Sequence, residues 1–212
     1  MKKIKKHFLS NADILIFFFS VLFFDYYFRN QLGMSSANAK VIFVNIFTAI
    51  LLSSFMFLMG QKTRLTYGIV LMSTMALLCF CQNLHYNYFS TFFSFSKASI
   101  LKEFFQVKNE ATGKLTLDLF GYFLPLIPFI LINLFKGKQY KYNYILRICI
   151  TSFLCILSLA CLFLTFSNYP ENIKKSESDS YLYHTLYNKV RAVDRLGLYS
   201  YTIKDAQLTL NH

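Results

Sequence analysis

The feature that most limits this chain is a set of apolar runs too long and too continuous for a water-soluble fold. Residues 41–60, 65–84, 117–135 and 144–167 are dominated by Leu, Ile, Val, Phe and Met. Each approaches or passes the roughly 18 residues that mark a membrane-crossing helix. Inside lipid every backbone N–H and C=O must find its partner within the protein, which leaves helices for runs without the alternation of a barrel strand. Residues 8–28 form another such run, broken only by Ser10, Asn11, Asp13, Ser20 and Asp25. Lys2, Lys3, Lys5 and Lys6 precede it, as in a secretory signal peptide. The run is too long for one, and no small-residue cleavage site follows, so it reads as a retained first helix. The chain is 55% hydrophobic and only 15% charged, which places it outside the soluble globular class. The expectation is an all-α integral membrane protein: a five-helix transmembrane bundle over residues 8–28, 41–60, 65–84, 117–135 and 144–167.

The formal net charge of +12 does not point to nucleic acid, because the basic residues flank the apolar runs and populate the tail, where anionic headgroups attract them. With the N-terminus inside, the cytoplasmic connections hold the four N-terminal lysines, then Lys62 and Arg64, then Lys136, Lys138, Lys141 and Arg147. The other side receives Arg29 and Lys40, then Lys97, Lys102, Lys108 and Lys114. The dense clusters fall on one side, so five spans are expected to leave the C-terminal tail outside, in a multi-pass cell-membrane protein. Cys79, Cys81, Cys149, Cys155 and Cys161 all lie inside apolar runs and face different directions on their helices, which suits packing and predicts neither a metal site nor a disulfide framework.

Residues 168–180 (NYPENIKKSESDS) are polar and without periodicity, a linker. Leu182, Leu186, Val190 and Val193 then recur at helical spacing and predict one amphipathic juxtamembrane helix over 181–195, with Gly197 placed to end it. The remainder of 181–212 is expected to form no further element, and the chain to stop short of a C-terminal domain.

Asp13 and Asp25 are suspects because intramembrane carboxylates are costly. Near the ends of the first span and about 120° apart around it, they are expected to find interfacial water or local hydrogen bonds rather than each other. At the end of the third span, Asn83, His85, Tyr86 and Tyr88 form an aromatic belt with polar groups able to meet a phospholipid headgroup, and Gln106 and Asp118 join them as candidate contacts. Pro125 and Pro128 predict a kink in the fourth span. No Gly-rich phosphate loop, HExxH or metal-spaced His/Asp/Glu cluster occurs, so no catalytic, cofactor-binding or metal-binding residue is assigned.

The order of these features resembles the N-terminal membrane domain of the lipoteichoic acid synthase family, bacterial phosphoglycerol transferases of the alkaline phosphatase/sulfatase superfamily. The resemblance rests on Asn83-Leu84-His85-Tyr86-Asn87-Tyr88-Phe89, on Phe105-Gln106 followed by Asp118, and on the LG…Y-T-x-x-D pattern of Leu196 to Asp205. It implies an extracellular domain that moves glycerol phosphate from phosphatidylglycerol through a threonine nucleophile and a divalent metal. Those motifs lie beyond the juxtamembrane helix in the family, so the resemblance assigns no such role to any residue here, and the chain is expected to be inactive alone. The implied partners are anionic phospholipid, phosphatidylglycerol above all, and a full-length synthase or other cell-envelope proteins. Two other functions fit the residues: a small transporter or channel subunit, from Asp13, Asp25 and the two prolines, and a non-enzymatic partner of a full-length synthase.

Overall fold

A computed structural model describes residues 11–35, 38–95, 117–135, 143–167 and 178–210. Among these residues the regular structure is entirely helical. Helix α1 spans Ala12–Gln31, α2 Ala39–Leu58 and α3 Gln61–Phe89. A 3-10 segment, Leu117–Phe123, leads into α4, Leu126–Phe135, and α5 spans Tyr144–Ser167. The tail holds α6 (Asp179–Thr185), α7 (Lys189–Leu196) and α8 (Leu198–Leu210).

Among the described residues four stretches are long and apolar enough to cross a membrane: Ala39–Leu58, Gln61–Phe89, Leu117–Phe135 and Tyr144–Phe166. The expected count of five is therefore not confirmed: α1, the expected first span, is not among these four. It is 20 residues long but contains Asp13, Asp25 and Arg29. Its position explains how it carries them. Ile14, Phe17, Val21, Phe24 and Phe28, spaced three and four apart, are buried on one face, and α1 packs against α2, α3 and α4 together. A helix face turned into the bundle can hold charges that a lipid-facing surface cannot. Helix α5 is the opposite case, with Phe153, Ile156, Phe163 and Leu164 exposed. It packs most extensively on α2, where Ser54 meets Cys155 Sγ at 3.1 Å and its carbonyl accepts from Thr151 Oγ1 at 3.4 Å. Small polar side chains of this kind let helix backbones approach closely in a membrane.

The fourth apolar stretch is interrupted. Its 3-10 segment ends at a turn before Pro125, and the α-helix begins only at Leu126. Pro125 has no N–H to continue the ladder, which accounts for a break there, while Pro128 is accommodated near the start of α4. Gly68 allows the Phe129 ring to lie directly on α3, because a Cβ at position 68 would overlap that ring.

The tail differs from its expectation in two ways. The helix expected over 181–195 is two helices, α6 and α7, separated at Leu186, whose φ of 46° is left-handed. Gly197 ends α7 at φ 90°, as expected, but the chain then forms the 13-residue helix α8 instead of running on without structure. The periodic residues still do what their spacing implies: Leu182, Leu186 and Val193 are buried.

Candidate functional site

One end of the bundle gathers the close of α1, the start of α2, the close of α3 and the whole tail. Helix α3 continues past the expected boundary at residue 84 to Phe89, so the aromatic-polar stretch begins as helix. It stops at Ser90, left-handed at φ 52°, whose N–H donates to the Tyr86 carbonyl at 2.8 Å. Residues 90–95 then fold back. The Gln82 amide donates to the Phe93 carbonyl at 3.1 Å and accepts from the Phe93 N–H at 2.9 Å. His85 Nδ1 lies 2.6 Å from the Thr91 carbonyl oxygen. Phe92 turns inward, stacked on Tyr86 at 5.0 Å and tilted against Phe28 at 5.7 Å.

The tail is fastened over this end by buried polar contacts. Asp25 Oδ2 accepts from Arg29 Nε at 2.9 Å and from Asn45 Nδ2 at 2.8 Å, and Asp25 Oδ1 accepts from the Leu198 N–H at 3.4 Å. Arg29 also donates to the carbonyls of Val193 (2.8 Å), Asp194 (3.1 Å) and Ser35 (3.0 Å). Its guanidinium thus meets carbonyls at the C-terminal end of α7, where the helix dipole favours a cation. Tyr199 donates to the Val21 carbonyl at 2.8 Å and Tyr201 to the Phe93 carbonyl at 2.9 Å. Burial pushes both phenols' pKa upward, with the charge of Asp25 adding to it at Tyr199 and that of Asp205 at Tyr201, so both remain protonated donors. Asp205 accepts from the Ser94 hydroxyl and, at 2.7 Å, from the Phe95 N–H. At the rim, Asp179 bonds Lys40 at 2.7 Å and Arg195 at 2.9 Å. Burial works to raise its pKa, but those two bonds outweigh it and hold the carboxyl below its ordinary value.

Between the close of α3, the folded-back loop and the α6–α7 junction lies a cavity of about 680 Å³. His85, Phe89 and Phe93 line one side, and Tyr187, Asn188 and Lys189 line the other. One non-glycine left-handed residue, Ser90, is part of its lining. Strained backbone of this kind recurs at ligand sites.

The six expected contact residues divide. His85 lines the cavity, and Tyr86 and Tyr88 are half-buried beside it. Asn83 is buried, donating to Tyr122 Oη at 2.8 Å and accepting from Asn87 at 2.8 Å, so it joins α3 to the 3-10 segment. Asp118 is exposed, and its backbone carbonyl accepts from Tyr27 at 2.7 Å. Gln106 lies outside the described residues. Asp25 finds one of its two expected solutions, a local hydrogen bond, to Arg29 four residues on, whereas Asp13 is buried within 3.4 Å of Arg64 on another helix. Sequence reasoning did not single out Arg29, which bonds the tail, or Lys189, which lines the cavity. The i,i+4 spacing of Asp25 and Arg29 was a readable sign of the first pairing. Among the described residues no group of three or more His, Cys, Asp or Glu side chains converges on a metal-sized site, and the five cysteines are free thiols.

Residues 1–212, the whole chain, match the family model of the lipoteichoic acid synthase N-terminal domain. No curated protein and no solved structure matches the chain.

Proposed function

The chain belongs to the lipoteichoic acid synthase N-terminal domain family, and from that premise we propose that it anchors and orients a phosphoglycerol-transferring catalytic domain at phosphatidylglycerol headgroups. The observation that carries this reading is the fastening of the tail. Arg29, Asp25, Tyr199 and Tyr201 tie α7 and α8 to the ends of α1 and α3 and to the residue 90–95 loop. A domain following such a tail would inherit a fixed height and direction relative to the bilayer, which is the positional requirement for reaching a headgroup. In this reading the tail end faces outward and the N-terminus inward, as the lysine and arginine clusters favour. The divalent metal and the threonine nucleophile belong to the catalytic domain, and this chain supplies placement.

The transporter reading drew on Asp13, Asp25 and the two prolines of the fourth span. Each carboxylate has a buried arginine partner, so neither supports that reading as it stood.

The test joins the chain to a catalytic domain of the family and follows glycerol phosphate transfer from labelled phosphatidylglycerol in vesicles. The intact fusion is expected to outpace both the chain alone and the same catalytic domain on an unrelated membrane anchor. Equal rates on the two anchors would remove orientation from the account.

A further inference from the structure

Among the described residues, four buried side-chain atoms have no hydrogen-bond partner, and two of them fall in one layer of the bundle. Helices α3 and α4 run antiparallel: Asn83 bonds Tyr122 toward one end of their contact, and Gly68 lies under the Phe129 ring toward the other. Helix α1 follows the same levels, with Tyr27 on Tyr122 at 5.1 Å and Phe17 on Phe129 at 6.3 Å. One turn further from the tail, a step of four residues on each helix, brings Asp13, Arg64 and Asn133 to a common level. The 3.4 Å pairing of Asp13 with Arg64 marks that level, and Asn133 is buried on the same face of α4 as Phe129.

Within this layer the bonding is incomplete in a complementary way. Arg64 Nη1 meets Asp13 and Asn11 at 3.4 Å, while Arg64 Nε–H, a donor, has no partner. Asn133 Nδ2 donates to the Phe129 carbonyl at 2.8 Å, which fixes the amide's orientation and leaves Oδ1, an acceptor, without a partner. Leaving both unsatisfied is costly inside a low-dielectric bundle. An anion could accept from Nε but would repel Oδ1, and a cation would do the reverse. Asp13 already balances the arginine, so the layer calls for no further charge. Water alone among common ligands accepts from the one and donates to the other.

We propose that Asp13, Arg64 and Asn133 form a buried water site, in which one water accepts from Arg64 Nε–H and donates to Asn133 Oδ1. The site joins α4, the short helix of the interrupted fourth stretch, to the α1–α3 pair by a polar contact beyond the packing of Phe129 on Gly68.

The test is water-edited solid-state NMR of the full chain, carrying isotope-labelled arginine, in hydrated phospholipid vesicles. It reads how fast polarisation passes from water to each guanidinium Nε, and Arg64→Lys assigns the Arg64 signal by deleting it. Arg64 Nε is expected to gain water polarisation severalfold faster than the equally buried Arg29 Nε, which is bonded to Asp25 at 2.9 Å. Asn133→Leu should slow Arg64 to the Arg29 rate. Thermal unfolding in detergent at about pH 8, where carboxyls are ionised, gives a reading that survives if Asn133→Leu does not fold. Asn133→Asp, which keeps an acceptor opposite Arg64, should leave the midpoint within about 2 °C of wild type. Asp13→Asn should lower the midpoint by several degrees, and adding Asn133→Asp should return more than half of that loss, because a carboxylate then reaches Arg64 from α4 instead of α1. An Arg64 signal as slow as that of Arg29 would overturn the water. A fast signal that Asn133→Leu leaves fast, or a midpoint lowered about 10 °C by Asn133→Asp, the scale of an unpaired buried carboxylate, would overturn the part given to Asn133. None of these outcomes bears on the anchoring reading, which rests on the opposite end of α1.

Discussion

Among the described residues the bundle holds two buried carboxylate–arginine pairs, one at each end of α1, and they are built to different standards. At the tail end, Asp25 and Arg29 lie 2.9 Å apart within one helix, and Asn45, Leu198, Val193, Asp194 and Ser35 take up further bonding capacity of the two. At the opposite end, Asp13 and Arg64 come from different helices, meet at 3.4 Å, and leave Arg64 Nε buried without a hydrogen-bond partner. A buried ion pair stabilises only when its surrounding bonds offset the cost of removing both charges from water. The first pair comes nearer to that condition, with Asn45 Oδ1 as its one buried atom left without a partner, and it organises three helices around it. The second is a weaker join between α1 and α3. The difference indicates which end of the molecule is built to hold something in place.

Removing the cation of the better pair should have the largest effect. Arg29→Gln strands Asp25 and uncaps α7, and is expected to lower stability by about 4 kcal/mol and to speed hydrogen exchange across α7 and α8. Both would be read by thermal unfolding and exchange mass spectrometry in detergent. If the tail stayed protected, the pair would not be its fastening. Arg64→Gln should cost less, about 2 kcal/mol given its long bonds and unsatisfied nitrogen, and should leave the tail amides unchanged. A cost equal to that of Arg29→Gln would erase the contrast between the ends. Tyr199→Phe deletes one buried bond to Val21 and is expected to cost about 1 kcal/mol, with exchange rising first near residue 199.

The smallest effect belongs to Asp179. Its folded pKa is depressed, so its contribution is full above the unfolded value of about 3.9 and is lost as pH falls through the lower folded value. Between pH 7 and 3, wild type should lose slightly more stability than Asp179→Asn, by about 0.5 kcal/mol or less, and the gap should close in high salt. A gap that persisted in high salt would mean that this rim pair is buried as deeply as the Arg29 pair.

The spans were legible because lipid imposes a length and composition that few soluble helices share. The break in the fourth stretch was legible through Pro125, which lacks the donor the ladder needs. The break at Leu186 was not, since leucine carries no signal for a left-handed residue and the apolar periodicity runs straight across it. Helix α8 was missed for a related reason. Tyr199, Tyr201 and Thr202 are indifferent helix formers, and what holds them is tertiary: bonds to Val21 and Phe93 from elements far away in sequence. Asn83 shows the same limit at the site. Its place beside His85 and Tyr86 suggested a shared surface, but a helix turns about 100° per residue, and that rotation carries it inward to Tyr122.

The grip of Gln82 on Phe93 bears on how this surface can change over generations. One amide holds both the N–H and the C=O of residue 93, and the same carbonyl accepts from Tyr201. The recognition is of main chain, blind to the side chain it carries. Position 93 can therefore drift among bulky residues while the loop keeps its path, with proline alone forbidden for want of the N–H. Position 82 has no such latitude: glutamate would lose the donor and methionine both bonds. A lineage of such proteins would vary what the loop displays and hold fixed the residue that displays it.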